Sequence, residues 1–217
     1  MNKKSPDMNN TFKSEGVPTQ IKNVDLVRKR RQQIVDVTVN LFVAHGYHKT
    51  TTRMIAREAG FSIGSLYEYV GSKEDILYLV CEAIHSELER GIKDILTETG
   101  NLKETLSEMI RGYFRVCDHM SEHILLMYQA TQFLPAHWKN NALENELHIT
   151  NIFVRALQRD FDDKNTPMLD TKTAFLIGHN IVVLGQMWAF RRWYFAKQFT
   201  IDEFIEEQTR FILKLAS

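Results

Sequence analysis

Through most of the chain apolar residues recur at three- and four-residue intervals, and no Val/Thr-rich stretch alternates between turns as a strand would. The pattern predicts a first helix from about Asp25 to His45, with Ile34, Leu41 and Phe42 sharing a face with Thr38, and Gly46 ending it. Two short helices, about Thr51–Ala59 and Ser62–Tyr69, are separated by a Gly60-Phe61 turn. Ser72 to Asp75 resembles a capping box, with Asp in place of Glu or Gln, and opens a long helix to about Thr99. Ile76, Leu79, Val80, Ala83, Ile84, Leu88, Ile92, Ile95 and Leu96 form its apolar stripe, and Gly100-Asn101 stops it. Helical segments follow near 102–119, 122–134, 138–160, 171–197 and 201–215. Pro135 and a polar loop at 162–167 interrupt them, and Thr200 with Glu203 forms a capping box for the last. The expected fold is all-α: a polar, mobile tail at 1–24 containing Pro6, Gly16 and Pro18, a compact head at 25–71, and a larger helical body at 72–217.

One segment, Thr173 to Phe190, carries no charge, but His179, Asn180 and Gln186 interrupt it and Arg191-Arg192 end it short of the roughly 20 apolar residues of a membrane span. A helix buried in protein is expected there, and no membrane partner. The 217 residues are 44% hydrophobic and 25% charged, as in soluble globular proteins. The N-terminal stretch has no apolar core, so no signal peptide is expected, and two cysteines, Cys81 and Cys117, suit a reducing cytoplasm.

The formal net charge of zero hides an asymmetry. Residues 1–75 hold 12 Lys/Arg against 8 Asp/Glu, the remainder 15 against 19. Between Lys22 and Arg57 the ratio is 8 to 2, so a polyanion is the expected partner at one end only.

Two short helices joined by a tight glycine-containing turn make a helix-turn-helix, whose second helix can enter the DNA major groove. Ile55 and Ala56 would pack on Phe61 and Leu66. Ile63 with Tyr67, and Ser65 with Tyr69, would then point outward one turn apart. Gly64 permits close approach, and Ser62, Ser65 and the tyrosine hydroxyls offer short hydrogen-bonding groups to phosphates or base edges. Thr51 or Thr50 would cap the first of the two helices, with Arg53 and Lys73 flanking the surface to neutralise phosphates. The same spacing also serves a helical hairpin in a core, with Tyr67 and Tyr69 half-buried.

The stretch QIVDVTVNLFVAHGYHKTTTRMIAREAGFSIGSLYEYVGSKEDILYLV, within Arg30 to Val80, resembles the DNA-binding domain of the tetracycline-repressor (TetR/AcrR) family. LF–x–x–HGY, TT–x–x–IA–x–x–AG, GSLY–x–Y and SKEDIL occur in order over about fifty contiguous residues. The resemblance implies a three-helix DNA-binding head, a ligand-binding body and a dimer on palindromic operator DNA. It implies that Thr52 and Arg53 open the second helix at the DNA. Ser62, Ile63, Gly64, Ser65, Tyr67 and Tyr69 would face the groove or its phosphates, with Lys73 clamping a phosphate. Val70-Gly71 departs from the Phe and polar residue usual there.

Beyond residue 100 the sequence is less specific. The 171–197 helix is apolar nearly all round, and 201–215 adds Phe204, Ile205, Phe211, Ile212 and Leu215. In so small a domain part of that burial is expected from a second copy, with burial inside one chain as the alternative, and the resemblance implies a homodimer through the last two helices. Between Met109 and Phe153 large apolar residues mix with isolated polar ones, as in a ligand cavity or in a core edge. Tyr113, His119, His123, Tyr128, Gln129 and Phe133 are candidate ligand residues, with Asn180, Gln186 and Trp188 from the penultimate helix. The expected effector is a small hydrophobic molecule such as an acyl-CoA or lipid-like acid; a multidrug-type aromatic compound is the alternative.

Cys117, His119 and His123 raise a metal reading, but a helix break at Ser121-Glu122 would misalign them and no second cluster lies nearby, so no metal is assigned. Arg191-Arg192 could meet an anionic ligand or place charge near a helix C-terminus. The Arg28–Arg31 run could touch phosphates or form a solvated face. No nucleophile, base and orienter fall into a recognisable arrangement, and no phosphate loop is present, so no cofactor and no enzyme activity are expected. A ligand-responsive repressor is the leading expectation. A ligand-independent DNA-organising protein would bind weakly, without sequence preference.

Overall fold

A computed structural model describes residues 16–93, 102–158 and 169–215. Of the expected mobile tail at 1–24, residues 1–15 lie outside the described residues, as do the helix stop at Gly100-Asn101 and the loop at 162–167, whereas the Val17–Gln20 part of the tail is held by bonds to Arg31 and Glu68. Among the described residues every regular element is helical: α1 Val24–His45, α2 Thr52–Glu58, α3 Ile63–Tyr69, α4 Lys73–Lys93, α5 Leu102–His119, α6 Ser121–Ala130, α7 Ala136–Leu157, α8 Thr171–Phe195 and α9 Ile201–Leu215. The expected 122–134 helix ends early, because Thr131–Phe133 tightens into a 3-10 turn before Pro135.

The chain divides into two compact units. The first takes the described part of Met1–Glu87 with Leu126–Ala142, the second Leu88–Leu125 with Leu143–Ser217. In the first unit, Asn23 caps α1 through a bond from Leu26 N–H, and Gly46 ends it at φ 77°. Ile34, Val35 and Phe42 of α1, Ile55 and Ala56 of α2, and Leu66 of α3 are buried together with Val70. Asp75 departs from a capping box. Ser72 Oγ accepts Asp75 N–H at 3.0 Å, but the Asp75 carboxylate accepts Gly71 N–H (3.1 Å) and the Trp138 indole N–H (2.8 Å) instead. Its side chain is one methylene shorter than Glu, and it serves the α3–α4 link and α7 rather than Ser72.

In the second unit α5, α8 and α9 enclose a core of Tyr113, Phe114, Phe153, Trp188 and Phe204, all buried. Trp188 and Phe204 lie 4.9 Å apart, centroid to centroid, and Tyr113 meets Phe153 edge-on at 5.6 Å. Gly185 permits the close α5–α8 crossing, since a Cβ there would lie 2.6 Å from the Tyr113 ring. The Thr200–Glu203 capping box is reciprocal: Thr200 N–H donates to Glu203 (2.7 Å) and Glu203 N–H to Thr200 Oγ1 (3.3 Å).

Among the described residues, α8 is long and apolar enough by composition to cross a membrane, and half of that apolar window is buried. Ala174, Ile177, Gly178, Ile181, Val182, Gly185 and Trp188 face the core. Phe175, Leu176 and Val183 are exposed on its other side, as are Phe211 and Leu215 of α9. The helix bends at Arg191 (φ −118°, ψ 19°), where Arg192 turns to an ion pair with Asp118 (3.1 Å). Both cysteines are buried and unbridged.

Candidate nucleic-acid interface

Thr51 is the residue that caps α2, its Oγ1 accepting Met54 N–H at 3.2 Å. Thr50 is buried and donates to the carbonyls of Leu41 and Gly46, closing the α1–α2 corner instead. Gly60 turns the chain at φ 74°, and Phe61 N–H returns to Ala56 O (2.8 Å). Ser62 caps α3 by accepting Ser65 N–H (3.0 Å), while the two hydroxyls bond each other at 2.9 Å. Both serines are thus ordered by the helix start before any ligand arrives.

The outward side of α3 carries Ile63, Gly64 and Tyr67, all exposed, with Ser65 half-buried. Tyr67 Oη donates to Thr52 Oγ1 (3.2 Å), which joins the two helices at the surface and fixes the direction of the phenol. Arg53, also exposed, stands on the first turn of α2. These groups form one face of short donors and acceptors, a small apolar contact and a cation, which can bond phosphates and reach base edges.

Tyr69 is a correction. It is 7% exposed, packs edge-on to Phe61 (5.8 Å) and lies on the core side with Leu66, three residues earlier. In a helix i and i+3 share a face, so Leu66 draws Tyr69 inward. Lys73 is half-buried. Its ammonium donates to Tyr47 O (2.6 Å) and lies 4.1 Å from the Tyr47 ring centre, and burial lowers its pKa, against the Glu74 charge. Sequence reading missed Tyr47 altogether. Burial and its bond to Glu74 raise the phenol's pKa, and its ring stacks on Phe133 at 5.2 Å. The Tyr in HGY was the signal available.

Of the nine candidate ligand residues three lie in the first unit and six in the second. Tyr128, Gln129 and Phe133 belong to the first unit: Tyr128 and Gln129 are exposed, and Phe133 is taken up by Tyr47 and His48. Tyr128 and Gln129 lie near the end of α6, and Phe133 closes the 3-10 turn that follows it. In the second unit His119 is exposed and Asn180 half-buried. Trp188 is buried with its N–H on Asp118 (2.8 Å). Tyr113 and Gln186 lie buried together: Tyr113 Oη reaches Val182 O at 3.4 Å, and Gln186 reaches Glu146 at 3.4 Å. Burial raises the Tyr113 pKa. His123 has both ring nitrogens shielded from solvent without a hydrogen-bond partner among the described residues, and burial lowers its pKa. His119 and His123 stand on different helices, α5 and α6.

Residues 34–79 match the family described as bacterial regulatory proteins, tetR family. Along most of its length the chain is similar to the HTH-type transcriptional regulator HbdR of Aromatoleum sp., 27% identical over 194 residues, 89% of this chain and 83% of that one. Over 88 residues it is 36% identical to the fatty acid metabolism regulator protein of Bacillus subtilis, 40% of this chain and 45% of the relative. Its fold is that of a putative fatty acid metabolism regulator from Clostridium perfringens, at a TM-score of 0.69 and 20% identity over 84% of this chain and 97% of the other. With a capped helix-turn-helix inside the matched residues and a helical body beyond it, the chain carries at residues 34–79 the DNA-binding domain of the tetR family of bacterial regulatory proteins.

Proposed function

We propose that this protein is a cytoplasmic, dimeric transcriptional repressor that binds a palindromic operator and is released by a small, mostly hydrophobic effector such as an acyl-CoA or lipid-like acid. The observation that carries the reading is the exposed α3 face, where Ile63, Gly64 and Tyr67 stand clear of the core beside Arg53. Thr51, Thr52, Arg53, Ser62, Ile63, Gly64, Ser65 and Tyr67 are the proposed DNA-facing set. Lys73 reaches a phosphate with the ammonium hydrogens that Tyr47 O leaves over.

The dimer reading rests on α8 and α9. Phe175, Leu176, Val183, Phe211 and Leu215 leave an apolar surface that a second copy would cover. Two heads held this way would read half-sites about 34–36 Å apart. Repression needs no more than occupancy of the operator, whereas activation would require a further surface for the transcription machinery.

The effector class draws on the apolar second unit and on the fatty-acid regulators that the chain resembles. Tyr113, His123 and Gln186 are its proposed polar contacts, and a neutral His123 can donate to the carbonyl of a thioester or acid. Effector binding would favour a body conformation in which the two heads no longer match the half-site spacing.

The test uses an operator recovered from a random duplex pool. Long-chain acyl-CoAs should displace the protein in a chain-length-dependent way, and His123→Leu should blunt the response without changing operator affinity. Displacement by aromatic drugs and not by any acyl thioester would overturn the effector assignment.

A further inference from the structure

The basic run Arg28–Arg31 ends in a residue that does not face solvent: Arg31 is 2% exposed. Its Nε donates to Tyr69 O at 3.0 Å, and its Nη2 donates to Val17 O at 2.7 Å and Pro18 O at 3.1 Å. One guanidinium therefore ties the segment before α1 to the end of α3. The neighbouring bonds run the same way. Thr19 Oγ1 and Gln20 N–H both donate to Glu68 O, each at 2.9 Å, and Val17 is buried.

The last carbonyls of a helix have no partner within it. In α3 those of Glu68 and Tyr69 are taken by Thr19, Gln20 and Arg31. The helix is seven residues long, far below the roughly 12–15 at which a helix is even marginal alone, so its direction depends on what grips it. The grip is at its C-terminal end, while Ile63, Gly64 and Tyr67 are exposed on its outer side.

We propose that Arg31 is a positioning residue for DNA sequence reading: it locks the Val17–Gln20 segment against the C-terminal end of α3 and so sets the angle at which Ile63 to Tyr67 meet the bases. This rests on α3 being the reading helix. Arg31 touches no DNA in this scheme and contributes nothing to phosphate neutralisation. Its loss therefore acts on discrimination between sequences, which tolerates little error in angle, and spares the non-specific electrostatic term.

The test measures affinity for a selected operator and for a scrambled duplex of the same length, at one salt concentration. It compares the full-length protein with Arg31→Met, Arg31→Lys and Thr19→Val. The expected result for Arg31→Met is a fall of about tenfold or more in the operator-to-scrambled ratio, with scrambled-duplex affinity within about twofold of the parent. Arg31→Lys keeps the charge and a single donor centre, and should recover only part. Thr19→Val, which removes one exposed hydroxyl, should lower the ratio by about two- to threefold. If Arg31→Met does not fold, Thr19→Val carries the test. An unchanged ratio in a folded Arg31→Met, or an equal loss on both duplexes, overturns the proposal, as does an unchanged ratio in Thr19→Val when that variant alone is measurable. If the unsubstituted protein itself shows no preference between duplexes, the reading of α3 fails instead.

Discussion

The head helices and the body are built from different kinds of contact. In the head, the helix starts and turns are decided by neighbours: Thr51 caps α2, Ser62 caps α3, and positive-φ glycines at 46 and 60 turn the chain. Each of these signals spans four or five residues. In the body, contacts join distant parts of the chain. Tyr113 meets Val182 across 69 residues, Trp188 meets Asp118 across 70, and Arg115 pairs with Asp202 across 87. A head of local signals keeps its shape in a recognisable motif, whereas a body of long-range contacts can be rebuilt around different ligands with little local trace.

The comparison can be broken most forcefully from the body. Phe114→Ala removes a fully buried ring from the α5–α9 contact and should cost about 3–5 kcal/mol, read as a lower urea midpoint with unchanged slope. A loss below about 1 kcal/mol would mean that the body repacks freely and is not held by these long-range contacts.

The next effect lies in α4. His85 is buried, and burial pushes its imidazole down to about 4 from the ordinary 6.5. The folded state therefore holds His85 neutral while the unfolded chain takes up a proton. Its contribution to stability is fully present above about pH 6.5 and is lost as pH falls toward 4, by about 3 kcal/mol in all. His85→Leu should flatten that part of the pH profile; a profile identical to the parent's would show that His85 is not held neutral.

Thr51→Ala should cost about 1 kcal/mol by releasing Met54 N–H at the start of α2. A larger effect would show that the corner is held by more than its cap. The smallest change is Tyr67→Phe. It should leave stability within about 0.5 kcal/mol and weaken operator binding a few-fold, because only an exposed hydroxyl bonded to Thr52 is removed. Unchanged affinity would make Tyr67 a packing residue.

The same division explains what could be read in advance. The helix-turn-helix and most helix boundaries follow from caps, glycines and apolar spacing. Thr200 with Glu203 behaves as its pattern implies. Tyr69 was misplaced because spacing from Ser65 suggested an outward face, while spacing from Leu66 placed it inward, and packing on Phe61 decided the matter. Arg31 was indistinguishable from its exposed neighbours Arg28 and Lys29 in the basic run, since only the fold brings Val17, Pro18 and Tyr69 around it. The spacing around Phe133 gave no sign that its ring stacks on Tyr47, some 86 positions away in sequence. Which polar groups share an interior, such as Tyr113 with Gln186, is set by the α5–α8 crossing at Gly185. Nothing in the spacing of either segment encodes that meeting.

The central claim is that the head reads DNA sequence as one of a pair. Selection of bound duplexes from a random pool, at physiological salt and with the full-length protein, tests it most directly. Enrichment of a palindrome whose half-sites lie one helical turn apart, or a multiple of it, is the predicted result. A pool that stays random while still binding, with affinity falling steeply as salt rises, would contradict the claim and leave a sequence-indifferent DNA binder.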